Sequence, residues 1–157
     1  MSFTEILYWL QQTALAQAVS KSSFWVGAGL QIVHIFGILL LLGSVLLVSL
    51  RLLGLVLQDR PVSAVSRTVT RFIHVGLALL ATSGFLMFIT MPVRYVQNSP
   101  FVYKMGFLVV GVLLQLLLFR KVAAQDAPSP VLARSTAVAT LAIWMVVAWA
   151  GRFIGFV

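Results

Sequence analysis

His34 is the side chain in this sequence best placed to do chemistry, because it lies inside an uncharged run from Phe24 to Leu50, where an imidazole in mid-helix is costly unless it has a partner. Imidazole nitrogen ligates haem iron or copper, and a thioether such as that of Met87 suits the same metals. Lys104 and Arg152 are cations suited to haem propionates. Gln31 lies one turn before His34 on the same helical face, and Trp149 offers an aromatic wall. His74 is the second imidazole and a further metal-ligand candidate. The competing reading of His34 is a neutral ring bonded to Gln31 or to another span.

These residues are set in a chain with little else that is polar. Of its 157 residues 61% are hydrophobic and 9% charged, and the mean hydropathy is +1.08, whereas soluble domains carry about a quarter charged residues. Uncharged runs cover Phe24–Leu50, Phe72–Val93, Met105–Phe119 and Ser135–Gly151. Each approaches or exceeds the ~20 residues a helix needs to cross hydrocarbon. None alternates with period two, and a lone helix satisfies its own backbone in lipid. The fold class read from these runs is all-α, a four-transmembrane-helix bundle forming one polytopic domain over 1–157, with spans at about 24–50, 72–92, 101–120 and 134–155.

Residues 1–20 differ in kind. Ser2 and Glu5 have the form of a capping box, and Phe3, Ile6, Leu7, Leu10 and Ala14 recur at helical spacing. One amphipathic interfacial helix is predicted, with Tyr8, Trp9 and Trp25 at headgroup level. A cleaved signal peptide is disfavoured, since the segment has neither a basic start nor a continuous apolar centre. Asp59-Arg60-Pro61, Asn98-Ser99-Pro100 and Asp126-Ala-Pro128 mark the connections, so residues 52–70 are expected to form a loop.

Arg51, Arg60, Arg67, Arg71, Arg120, Lys121 and Arg134 fall on one side of the spans, and Lys21, Arg94, Lys104 and Arg152 on the other. The side richer in cations should face the cytoplasm, which places both termini outside the cell's inner membrane. The net charge of +8 is spread over helix ends, a topology signal and not a nucleic-acid surface. With Arg51, Arg71, Arg120 and Arg134 as a common floor and 1.5 Å per residue, His34, Met87, Lys104, Trp149 and Arg152 all rise to roughly 22–27 Å. On the same scale His74 stands only roughly 5 Å up, which predicts a headgroup-level position and argues against both histidines clamping one iron. Lys104 is expected near the end of its span, snorkelling to the surface.

Several activities lack the residues they need. Glu5, Asp59 and Asp126 are the only carboxylates, all outside the uncharged runs, so a carboxylate pair or an acidic proton relay has no material. Nucleotide-binding, serine-hydrolase and zinc-protease motifs do not occur. The residues name no reaction.

Gln31-Ile-Val-His34-Ile-Phe-Gly37, Arg51-Leu-Leu-Gly54, Gly84, Ser99-Pro100-Phe101 followed by Lys104, and Trp149-Ala-Gly151-Arg152-Phe-Ile together resemble a family of uncharacterised bacterial inner-membrane proteins. That family is similar in layout to the membrane domain of copper-resistance D proteins and to HemJ-type protoporphyrinogen oxidases, which bind haem b. The resemblance to the HemJ type implies a functional histidine and lysine at His34 and Lys104. The leading expectation is therefore haem b held by His34, Lys104 and Arg152, with a quinone or periplasmic redox partner. Copper handling by His34 with Met87, Met91 or Met105 as soft ligands is the alternative, and a subunit of a larger membrane complex is the third. A homodimer with paired His34 rings is a further possibility for an interfacial haem.

Overall fold

The computed structural model describes residues 2–156, and all regular structure among them is helical. Helices α1 (Phe3–Gln11) and α2 (Ala14–Ser20) precede α3 (Phe24–Leu52), and α4 (Val62–Thr90) is followed by the short α5 (Pro92–Gln97). Helix α6 (Ser99–Leu114) runs through a π turn (Gln115–Phe119) into α7 (Arg120–Ala123), and α8 (Pro130–Phe153) ends in a 3-10 turn. Four helices, Phe24–Leu52, Val62–Thr90, Ser99–Ala123 and Pro130–Phe156, are long and apolar enough to cross a membrane.

The amphipathic segment is two helices, not one. Glu5 N donates to Ser2 Oγ and Ser2 N to Glu5 Oε2, at 3.3 and 2.8 Å, completing the capping box. Thr13 then interrupts the run: its hydroxyl accepts from Ala16 N and donates to Leu10 O, capping a new helix. Leu7 and Ala16 are buried, α1 against α5 and α2 against α4, while Tyr8 and Trp9 stay exposed.

The segment expected to be a loop at 52–70 is helix over its second half. A left-handed Gly54 ends α3, with Leu55 N donating to Leu50 O and Gly54 N to Arg51 O, the pair of bonds that closes a helix end. Pro61 opens α4 one residue before Val62, ten residues earlier than the uncharged run. Val62, Val65 and Val69 are buried at helical spacing while Arg67 and Arg71 are exposed. Burial on one face therefore carries the helix through its charged turns. The α7–α8 loop closes over this end, where Asp126 O accepts from Val62 N and the Asp126 carboxylate accepts from Ser63 Oγ. The free N–H of Val62 is thus met by a backbone carbonyl, and the carboxylate beside the helix start complements the dipole.

Helices α3 and α4 touch backbone to backbone at two glycines. A Cβ on Gly76 would stand 2.9 Å from Gly37 O and 2.9 Å from Leu41 N, and one on Gly37 would stand 3.1 Å from Gly76 O. This contact corrects the level floor. Gly37 lies fourteen residues before Arg51 but Gly76 only five after Arg71, so the two arginines differ in height by about 13 Å. Val62, fourteen residues before Gly76, is the true counterpart of Arg51. Measured from the crossing, His74 and His34 are separated by only about 8 Å of rise, and not by the 20 Å the floor implied.

Around the ring, α4 packs on α3, α3 on α8 and α8 on α6. The fourth side is open by comparison: α4 and α6 meet through the stacked rings of Phe88 and Phe101, 5.6 Å apart, with Tyr95 of α5 against both. Gly76→Ala should force α3 and α4 apart and lower stability by about 1–3 kcal/mol, the usual cost of overpacking. Gly43→Ala, whose Cβ would meet nothing within 4 Å, should leave thermal unfolding in detergent unchanged or slightly improved.

Candidate functional site

One side of the site is built on α3 and α4. The His34 ring is half-buried, with Nδ1 2.8 Å from Ser83 Oγ. Ser83 is 1% exposed and its hydroxyl donates to Leu79 O at 2.5 Å, the i−4 bond common for serine in helices. A hydroxyl has one proton. Since Ser83 spends it on Leu79, His34 Nδ1 must be the donor in the His34–Ser83 bond. The neutral ring then carries its lone pair on Nε2. Gly84 makes the approach possible, because a Cβ there would lie 3.3 Å from His34 Cε1.

The other side is built on α6 and α8. Lys104 lies five residues inside α6 and does not snorkel outward: its Cδ, Cε and Nζ run along Gly151, whose added Cβ would meet them at 3.6, 3.4 and 3.3 Å. Helix α6 begins at Ser99, capped by the Asn98 side chain on Phe101 N, and so turns Lys104 inward. Like the His34 ring, Lys104 is half-buried. No carboxylate partner accompanies it, the one ion pair among the described residues being Asp59–Arg60. An imidazole with a lone pair and an unpaired ammonium thus face the same interior from opposite helices.

The remaining candidates are not brought to that interior. Trp149 is 68% exposed and packs on Phe153 at 4.5 Å, since the two residues separating it from Gly151 turn it about 200° away. Arg152 is exposed, its guanidinium 4.5 Å over the Phe156 ring. Gln31 is exposed and lines a surface cleft of about 300 Å³ with Ser20, Ser23 and Gly27. Met87, half-buried, is one turn beyond Ser83 on the same face of α4. His74 is exposed, and nine residues of helix set it about 180° from Ser83. Facing, and not depth, is what keeps the two imidazoles from one metal.

Ser83 and Gly151 are the positions that residue type alone did not single out. A serine in a span is commonplace, and only its pairing with His34 gives it a role. Ser83→Ala should leave Nδ1 unpartnered and cost about 1–3 kcal/mol of stability. Nitrogen-15 spectra of the ring should show protonation at Nδ1 alone in the native protein and a shift towards the Nε2–H form in the variant; an unchanged tautomer would refute the assignment.

Comparison with known proteins adds a family and no activity. No curated protein matches the chain, and no solved structure does. A family described as "Family of unknown function (DUF6644)" matches residues 7–157. With all but the first six residues matched, and with four helices able to span a membrane behind that match, this chain belongs to the DUF6644 family.

Proposed function

We propose that this protein is a small multi-pass protein of the bacterial inner membrane that binds haem b through His34 Nε2 and exchanges electrons with a quinone or a periplasmic partner. The observation that carries the reading is the His34–Ser83 hydrogen bond: with the Ser83 proton on Leu79 O, the ring proton sits on Nδ1 and Nε2 is left with a lone pair, while the Lys104 stem lies half-buried along Gly151. Metal-ligating histidines are held in this way by a hydrogen bond from the second ring nitrogen.

The donor set fits haem better than a bare ion. Among the described residues no three His, Cys, Asp or Glu side chains gather to hold a metal, whereas haem iron needs only one or two axial ligands from the protein. Bound haem would supply one-electron chemistry. The chain's own part is to present Nε2, to keep the ring flush against Gly84, and to offer Lys104 to a carboxylate that would otherwise be unpaired in an apolar bundle. The sparsely packed α4–α6 side is where a flat ligand meets least resistance from backbone.

Copper remains the alternative occupant of Nε2, with Met87 as its soft ligand; Met91 and Met105 lie on exposed surface. Protein purified in mild detergent after expression with ample haem should show a Soret band. His34→Ala should abolish that band and His74→Ala should keep it. Absence of a Soret band from the native protein would overturn the haem reading. Bound copper without the band, lost in Met87→Leu, would establish the other.

The same proposal sets the arginine-rich end in the cytoplasm. The chain has no cysteine, so single introduced thiols report topology without background. In intact spheroplasts, Gln97→Cys should react with an impermeant maleimide, and Gln125→Cys should react only after the membrane is opened. The reverse pattern would invert the orientation.

A further inference from the structure

Beyond the His34–Lys104 interior, the seam between α6 and α8 holds polar atoms that the other described residues leave unsatisfied. Gln115 Oε1, Thr140 Oγ1, Thr136 Oγ1 and Trp144 Nε1 are buried with no hydrogen-bond partner among the described residues. Gln115 is 4%, Trp144 2% and Thr140 0% exposed. Leaving a buried donor or acceptor unpaired costs about 1–3 kcal/mol, and such atoms in native structures are normally met by protein or by ordered water.

Helix geometry brings three of these atoms together. Lys104, Gly111 and Gln115 fall on one face of α6, at separations of seven and four residues. Gly111 is the level marker, since its added Cβ would lie 3.8 Å from Trp144 Cε2, the atom bonded to Nε1. One turn on, Gln115 faces Thr140 in the antiparallel helix. Side chains lean towards the start of their own helix. Gln115 therefore leans over Gly111 and Trp144 leans towards Thr140, so the two tips approach one level. Gln115 also opens the π turn, a wider helical turn that recurs at functional positions.

We propose that this part of the seam is a binding site for internal water, held by the Gln115 carbonyl, the Trp144 indole N–H and the Thr140 hydroxyl. The chemistry selects water over a metal cation. Trp144 supplies a donor and Gln115 an acceptor; water satisfies both at once, while a cation would be repelled by the indole N–H. Two to four polar partners are what a buried water needs. Above this level the seam has about one apolar layer, Leu108 and Val147, before Lys104 and Gly151. The site thus brings water to within about 10 Å of rise of the Lys104 position, along the α6–α8 seam that adjoins the open α4–α6 face. It stands whether or not His34 binds haem.

The test is exchange of the Trp144 indole proton with solvent, read in nitrogen-15 tryptophan-labelled protein in nanodiscs, with Trp144→Phe identifying the signal. The expected result is a water cross-peak at Trp144 despite its burial, and a tenfold or greater slowing of exchange in Gln115→Leu. Thr140→Val, which keeps shape and removes one partner, should slow exchange in a protein that still folds, so the outcome does not depend on Gln115→Leu being stable. An indole proton protected like a core amide in the native protein would overturn the proposal. So would a rate untouched by Thr140→Val, or one that follows sodium or potassium concentration.

Discussion

The contact of Gly37 with Gly76 sets the geometry on which the functional side chains depend. Two helices of 29 residues each approach until a carbonyl of one touches the place where a β-carbon of the other would stand. In lipid, helices associate through close packing and not through exclusion of water, so small residues at a crossing determine which faces meet. That crossing aligns Val62 with Arg51, brings Val45, Val48, Val65, Val69 and Ile73 into one apolar core, and turns Ser83 towards His34. Without it the ring would have no fixed partner, and an uncommitted imidazole in a bundle has no preferred ligating nitrogen.

Glycine recurs opposite three of the side chains that enter the bundle. Gly84 faces His34, Gly151 faces Lys104 and Gly111 faces Trp144. The common cause is volume: an imidazole, a lysine stem or an indole needs space on the facing helix, and a missing side chain supplies it without separating the backbones. The bundle can thus hold these groups inside while α3, α8 and α6 remain in contact. Two of its polar groups stand at different levels, His34 with Lys104 at one and Gln115 with Thr140 and Trp144 at the other, with Leu108 and Val147 between them.

The four spans were legible because lipid imposes a simple condition, a run of apolar residues long enough to cross. The capping box at Ser2 and Glu5 and the glycine stop at Gly54 were equally local and equally readable. Helix α4 was not, since its first ten residues include Arg67 and Arg71, and a count of charges sees a loop there. Only the burial of Val62, Val65 and Val69 against neighbouring helices reveals the helix beneath. The same error set Arg71 too low in the bundle and His74 with it.

Span number, the scarcity of carboxylates and the isolation of His34 and Lys104 within apolar helices all follow from residue type and order along one chain. Tertiary structure decided which way each side chain faces. Gln31, Trp149 and Arg152 share the general region of His34 but point outward, while Ser83 and Gly151, inconspicuous in the sequence, meet the imidazole and the ammonium directly. Rise along a helix can be counted from residue numbers. Rotation relative to a neighbour is set by where two helices touch, and here that is settled by a pair of glycines thirty-nine positions apart.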